Sequence, residues 1–183
     1  HGIAPTDEMR VAMYAHAANG GIKIDKTAHT GVEGLYACGE ATGGMHGADR
    51  IGGLSSANGI VFGRIAGASA ALAVQKESEA ALKADITLPQ YGIAATDADR
   101  LTHSLRHTMS TYCMINRTET GLSEALHELE GLKTEATTLS TQKAQDSEVA
   151  ALARLQSQIQ LAQEMVKAMR KRTESLGSHY RAD

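Results

Sequence analysis

His16-Ala-Ala-Asn-Gly-Gly-Ile-Lys-Ile-Asp25 is followed closely by Gly34-Leu-Tyr-Ala-Cys-Gly-Glu40 and then by Gly43-Gly-Met-His-Gly-Ala-Asp-Arg-Ile-Gly-Gly53. Thirteen of the chain's 18 glycines fall between Gly20 and Gly67. Glycine has no Cβ, so backbone this rich in it turns tightly or lies against something flat. His16, Glu40 and Arg50 punctuate the glycines, which suits a binding site better than a linker. The rest of the chain is expected to support this stretch.

Outward from it, the 183 residues suffice for one domain or a domain with an appendage. Hydrophobic residues make up 42% but aromatics only 3%, with no Trp and one Phe. A core of Ala, Leu, Ile, Val and Met points to packed helices. A net charge of −3 gives no nucleic-acid footprint. Cys38 and Cys113 lack metal-ligand spacing. They are expected as reduced packing residues rather than a disulfide, which fits a cytoplasmic-type compartment. No run approaches 18 consecutive apolar residues, so no membrane span is expected. The first residues carry neither the basic start nor the apolar core of a signal peptide. Because they begin with His1 rather than Met, the chain is expected to be a piece of something longer.

In chain order, Met9–Ala15 predicts a strand leading into the site, and Gly21–Asp25 alternates as a second strand. Lys26–Gly34 predicts a hairpin-like loop, Leu35–Cys38 a short buried strand, and Gly43–Gly53 an irregular loop. A helix follows, with Ser55 and Ser56 as N-cap candidates and an apolar stripe of Ile60, Ile65, Ala68 and Leu72. Gly59, Gly63 and Gly67 recur every fourth residue, and the helix fades near Val74. Residues 76–96 form a linker between a first domain, 1–75, and a second, 97–183. There, Asp97 or Asp99 caps a helix carrying Leu101, Leu105 and Met109. Thr118 or Thr120 starts another with Leu122, Leu126, Leu129 and Leu132. The longest carries Leu152, Leu155, Ile159, Ala162, Val166 and Met169, a narrow stripe for antiparallel packing. Lys167, Arg170, Lys171 and Arg172 sit at its end, where cations suit the helix dipole.

The order H-x-x-x-G-G-[IV]-x-[IV]-D, G-L-Y-A-x-G-E, H-G-A-[ND]-R-[IL]-G-G and V-F-G-R-I-A-G is met at His16–Asp25, Gly34–Glu40, His46–Gly53 and Val61–Gly67. It resembles the flavoprotein family of fumarate reductases, succinate dehydrogenases and L-aspartate oxidases. Arg106–Arg117 is similar to the opening of that family's C-terminal helical domain, and Glu174–Asp183 to its closing E-S-R-G-x-H-x-R-x-D. Ala17, Asn19, Leu54 and Leu176 depart from the pattern. The family's opening G-x-G-x-x-G unit and its capping domain have no counterpart here.

The resemblance implies an α+β fold: the C-terminal part of a Rossmann-like FAD-binding domain, with short strands and one Gly-rich helix, then a three-helix bundle. It implies FAD in the full-length protein and hydride transfer between flavin N5 and a C4 dicarboxylate. The alternatives are an L-aspartate oxidase and, in another class, a non-catalytic interaction or dimerisation fragment. His16 and Arg50 are then expected to bind substrate carboxylates, Arg50 through its two-pronged guanidinium. From sequence alone, a lone His such as His16 is more often a structural hydrogen-bond partner, and Arg50 is as readily an ion-pair partner of Asp49 or Glu40. Gly20, Gly21, Glu40, Ser55 and Ser56 are expected to bind the cofactor, Glu40 through hydroxyls and the serines through helix N-terminal amides. His46 is expected to shape its loop. His103, His107, His127 and His179 are expected as bundle or surface residues. The general acid is expected in the capping domain, and no metal site is expected. Implied partners are the rest of the flavoprotein chain and an iron–sulfur or quinone-linked electron-transfer subunit. The implied location is cytoplasmic, or peripheral on the cytoplasmic face of a membrane. The 183 residues alone are expected neither to retain FAD nor to turn over.

Overall fold

In the computed structural model, residues 16–17, 20–74, 90–142 and 144–183 are described. The strand expected over Met9–Ala15 and the linker as far as residue 89 lie outside them. The chain divides into two units, His1–Leu82 and Lys83–Asp183.

The first unit is held by backbone more than by side chains. Strand β1 (Ile22–Lys23) pairs in parallel with β2 (Thr42–Gly43), Ile22 opposite Thr42 and Lys23 opposite Gly43. The glycines make this approach feasible: a Cβ on Gly21 would sit 2.5 Å from the Ala41 oxygen, and one on Gly43 2.7 Å from the Gly21 nitrogen. Between the strands lies the expected hairpin-like loop. The Asp25 carboxylate accepts from the Thr27 hydroxyl at 2.6 Å and from the Thr27 and His29 amides. These bonds, the Thr27 hydroxyl foremost, hold its carboxyl below the usual range. An antiparallel bridge joins His29 to Tyr36, whose rings meet edge-on with centroids 5.4 Å apart.

Leu35–Cys38 is not the expected buried strand. Only Tyr36 makes a bridge, Leu35 is half exposed and Cys38 is exposed. A 3-10 turn, Gly39–Ala41, follows, and the irregular loop leads to helix α1 (Leu54–Val74). The expected apolar stripe of α1 is not buried. Asn58 and Ala66 alone among its described residues are, while Ile60 stands 74% exposed. The expectation of no membrane span meets one exception, by length and composition alone. An 18-residue window of α1 reaches a mean hydropathy of 1.4, long and apolar enough to cross a bilayer. Gly, Ala and Ser between the larger apolar residues raise the mean without forming an unbroken run.

The second unit is a three-helix bundle of α2 (Ala95–Tyr112), α3 (Glu119–Leu139) and α4 (Asp146–Lys171). The leucine periodicity works as expected. Leu101 and Leu105 of α2, Leu122 and Leu129 of α3, and Leu152, Leu155, Ile159 and Val166 of α4 form one buried cluster. Each such side chain contributes about 1.5–3 kcal/mol on burial. Thr118 caps α3, its hydroxyl accepting from the Gly121 amide at 3.1 Å. Neither Asp97 nor Asp99 caps α2. The cap position is Ala94, and Asp97 lies in the first turn, where its charge suits the dipole.

Short strands close the bundle. β3 (Tyr91–Gly92) pairs antiparallel with β5 (Thr141–Gln142), so residues 91–96, expected in a linker, belong to the bundle's own architecture. Ile93 beside β3 is 1% exposed. β4 (Asn116–Arg117) pairs in parallel with β6 (Tyr180–Arg181). Cys113 is buried and free, and burial pushes its thiol up to about 11.

Candidate functional site in the glycine-rich loops

The first unit brings most of the expected cofactor residues to one place. Gly20 and Gly21 lie against Ala41–Gly43, which seats the turn carrying Glu40 beside β1. The same turn touches α1. Asn58 Nδ2 lies 3.4 Å from the Gly39 oxygen, and a Cβ on Gly63 would lie 3.9 Å from Cys38 Sγ. Ser55 and Ser56 stand in the first turn of α1, inside the helix rather than at its cap, since α1 begins at Leu54. Glu40 is exposed and Ser55 half-buried.

His16 is exposed. Arg50 is half-buried. Its amide donates to the Asp49 carboxylate at 2.8 Å, but among the ion pairs of the described residues its guanidinium takes none. His46 is half-buried, with Nε2 at 3.3 Å from Asn58 Nδ2.

This arrangement fits part of the flavin dinucleotide that the resemblance implies. Gly44, Gly47 and Gly53 adopt positive φ, and an added Cβ at any of them, or at Gly52, would meet no described residue within 4 Å. The loop therefore leaves an open cradle into which a ligand can approach the backbone. Glu40 offers an acceptor for hydroxyls, and the first turn of α1 offers amides for negative charge. An apolar hollow also runs along α1, lined by Ile60, Val61, Arg64, Ile65 and Ala68. No group of His, Cys, Asp and Glu among the described residues is arranged to hold a metal ion.

Two further polar side chains went unnoticed in the sequence. Thr42 and Asn58 are both buried beneath the loop. A lone Asn between Ala57 and Gly59 has no periodicity to flag it, and Thr42 beside Gly43 looks like a turn residue.

At the chain's end lies a separate ionic cluster. Arg181 pairs with Glu119 and Asp183, and Glu119 also takes Arg170, whose Nε donates at 2.7 Å. The Arg170 contact is foremost in holding the Glu119 carboxyl below its usual range, and the Arg181 bond does the same for Asp183. His179 is buried rather than a surface residue. Its Nε2 donates to the Arg172 oxygen and its Nδ1 accepts from Arg117, each at 2.8 Å. That cluster ties β6 to α3 and α4 and is structural.

Comparison with known proteins gives matches at both ends of the chain. A family model described as "FAD binding domain" matches residues 2–56, and one described as "Fumarate reductase flavoprotein C-term" matches 102–183. An uncharacterized FAD-dependent oxidoreductase of Methanocaldococcus jannaschii is 34% identical over 183 residues, covering 97% of this chain and 34% of the relative. A fumarate reductase (CoM/CoB) chain of Methanothermobacter marburgensis is 30% identical over 186 residues, covering 97% and 34%. The solved structure of Mycobacterium smegmatis Sdh1 in complex with UQ1 superposes with a TM-score of 0.75 at 32% identity, covering 92% of this chain and 30% of that one. The chain thus spans about a third of the length of the curated relatives it matches.

Proposed function

The chain belongs to the FAD-dependent fumarate reductase, succinate dehydrogenase and L-aspartate oxidase flavoprotein family, and on that premise we propose that it is the C-terminal portion of an oxidoreductase acting on a C4 dicarboxylate. One observation carries the reading: β1, the Glu40 turn and the start of α1 converge around a glycine cradle with open space above its backbone.

FAD, when bound, supplies the hydride chemistry at flavin N5. This chain's residues bind and orient. The Glu40 carboxylate accepts hydroxyls of the cofactor's sugar or ribityl chain. The first-turn amides at Ser55 and Ser56 would hold the part of the ring system where negative charge gathers. Gly20 would let the ring lie close to the backbone, while Gly21 lets β1 close against Ala41 and so seats the Glu40 turn. Arg50 clamps one substrate carboxylate, and His16 holds the other. The general acid belongs to a part of the full-length protein outside these residues.

Helix α1 packs, in this reading, inside the completed flavin domain. Its buried Asn58 and mid-helix Arg64 favour a protein interior over lipid. An iron–sulfur or quinone-linked partner collects or delivers the electrons, and the assembly sits at the cytoplasmic side, consistent with two free cysteines.

The test is anaerobic titration of the full-length protein, followed by its visible flavin spectrum. Succinate should reduce the flavin, and fumarate should reoxidise it. Reduction by L-aspartate with no response to either dicarboxylate would replace this reading with an L-aspartate oxidase. A colourless full-length protein that does not take up added FAD would leave only an interaction module. The 183 residues alone should purify without flavin.

A further inference from the structure

The loop from Gly39 to Gly53 is folded on itself by buried Thr42 and joined to α1 by buried Asn58, and the reaction above leaves both unused. Thr42 is 2% exposed and Asn58 7%. The Thr42 hydroxyl donates to the Gly39 oxygen at 2.6 Å and lies 3.4 Å from Met45 Sδ. Asn58 Nδ2 faces that same oxygen at 3.4 Å, Met45 Sδ at 3.3 Å and His46 Nε2 at 3.3 Å. Its Oδ1 is buried and finds no partner among the described residues.

The orientation of this amide is decided by what surrounds it. A carbonyl oxygen only accepts, and a thioether sulfur only accepts. Turning the amide over would set Asn58 Oδ1 against the Gly39 oxygen and the Met45 sulfur, so the NH2 end faces the loop. Two amide hydrogens then serve three acceptors, which accounts for the long separations. An amide donor 3.3 Å from His46 Nε2 suits an unprotonated nitrogen there, which in a neutral ring places the hydrogen on Nδ1. The unpaired Oδ1 fits the same account. An apolar side chain would remove that orphan acceptor but would also remove the donor the loop needs.

We propose that Thr42 and Asn58 are positioning residues: Thr42 fixes the turn of the Gly39–Gly53 loop at the Gly39 oxygen, while Asn58 seats that turn on α1 and holds His46 in its Nδ1–H tautomer. One end of the loop carries Glu40 and the other Arg50, so its seat sets where cofactor and carboxylate are gripped. The kinetic consequence rests on the function proposed above, whereas the clamp and the tautomer do not.

The experiment uses the full-length protein with 15N-labelled histidine, the His46 signals being assigned by their loss in His46→Gln. The wild type should show Nδ1–H at His46, and Asn58→Ala should move it towards the Nε2–H form that neutral imidazole otherwise prefers. Thr42→Val keeps the shape but removes the hydroxyl. It should lower kcat/KM for the dicarboxylate about tenfold, mainly through KM, as a misplaced grip does. Thr42→Ser restores the donor and should recover most of that loss. An Nε2–H wild-type ring, or Thr42→Val kinetics equal to wild type, would overturn the proposal. If the wild type binds FAD but ignores fumarate and succinate, the proposed reaction fails instead, while the tautomer still judges the clamp.

Discussion

The two units bury their side chains in opposite ways. The bundle encloses leucines, an isoleucine and a valine from all three helices in one cluster. Among the described residues of the first unit, the buried ones are Ala28, Ala66, Thr42 and Asn58. Helix α1 is more apolar than any helix of the bundle yet leaves Ile60, Val61, Leu72 and Val74 uncovered. A region that leaves its apolar helix uncovered differs from a region that completes its own interior. Motifs mark the first, and hydrophobic periodicity marks the second.

Four experiments break or sharpen that contrast. The largest difference should appear on cutting the chain between its units. Residues 83–183 alone should melt cooperatively by circular dichroism, because their core is closed. Residues 1–82 alone should show no cooperative transition, and a sharp one would erase the contrast.

Next come single truncations in the 183-residue chain, followed by urea denaturation. Leu129→Ala, at a fully buried position, should cost about 3 kcal/mol. Ile60→Ala on α1 should stay within about 0.5 kcal/mol, since little is lost from a side chain already in water. Equal costs would mean that α1 is covered after all.

Third, Gly92→Ala should destabilise the bundle by about 1–3 kcal/mol. The new Cβ would lie 2.7 Å from the Glu148 carbonyl carbon and 2.8 Å from its Cβ, at the start of α4. Gly131→Ala, with nothing within 4 Å, is the control that should not destabilise.

The smallest effect concerns acid. Glu119 and Asp183 are both held below their ordinary values of 4.5 and 3.8 by the arginines beside them. Carboxyls depressed on folding stabilise above the unfolded values, and that stabilisation is lost as pH falls through the folded ones. The bundle's melting temperature should therefore drop from about pH 5 downwards. The double variant Glu119→Gln, Asp183→Asn should flatten that slope, and an unchanged slope would place the acid sensitivity elsewhere.

Much of the bundle was legible in advance for a plain reason. Leu152, Leu155, Ile159 and Val166 repeat at helical spacing, and helices bury whatever stripe they carry. Thr118 was readable as a cap because a hydroxyl ahead of a helix has a local partner, the Gly121 amide. The pairing of Tyr91–Gly92 with Thr141–Gln142 was not readable, because two-residue strands carry no alternation. The ionic cluster at the chain's end joins Glu119 to Arg170 and Arg181, distances along the chain over which no charge pattern speaks. In the first unit, the ordered motifs pointed to the family, while the loop's seat on α1 left no trace.

By itself, then, the sequence determined the helices, the buried stripes of the bundle, the glycine-rich stretch and the family to which they belong. Those follow from local periodicity, from glycine's missing Cβ and from residue order, all written along one dimension. Only the tertiary structure decided that Thr42 and Asn58 meet at the Gly39 oxygen, that His179 lies buried between Arg117 and Arg172, and that α1 leaves its apolar side chains uncovered. Such facts depend on which donor faces which acceptor across a gap closed by folding, and no spacing in the chain encodes that geometry.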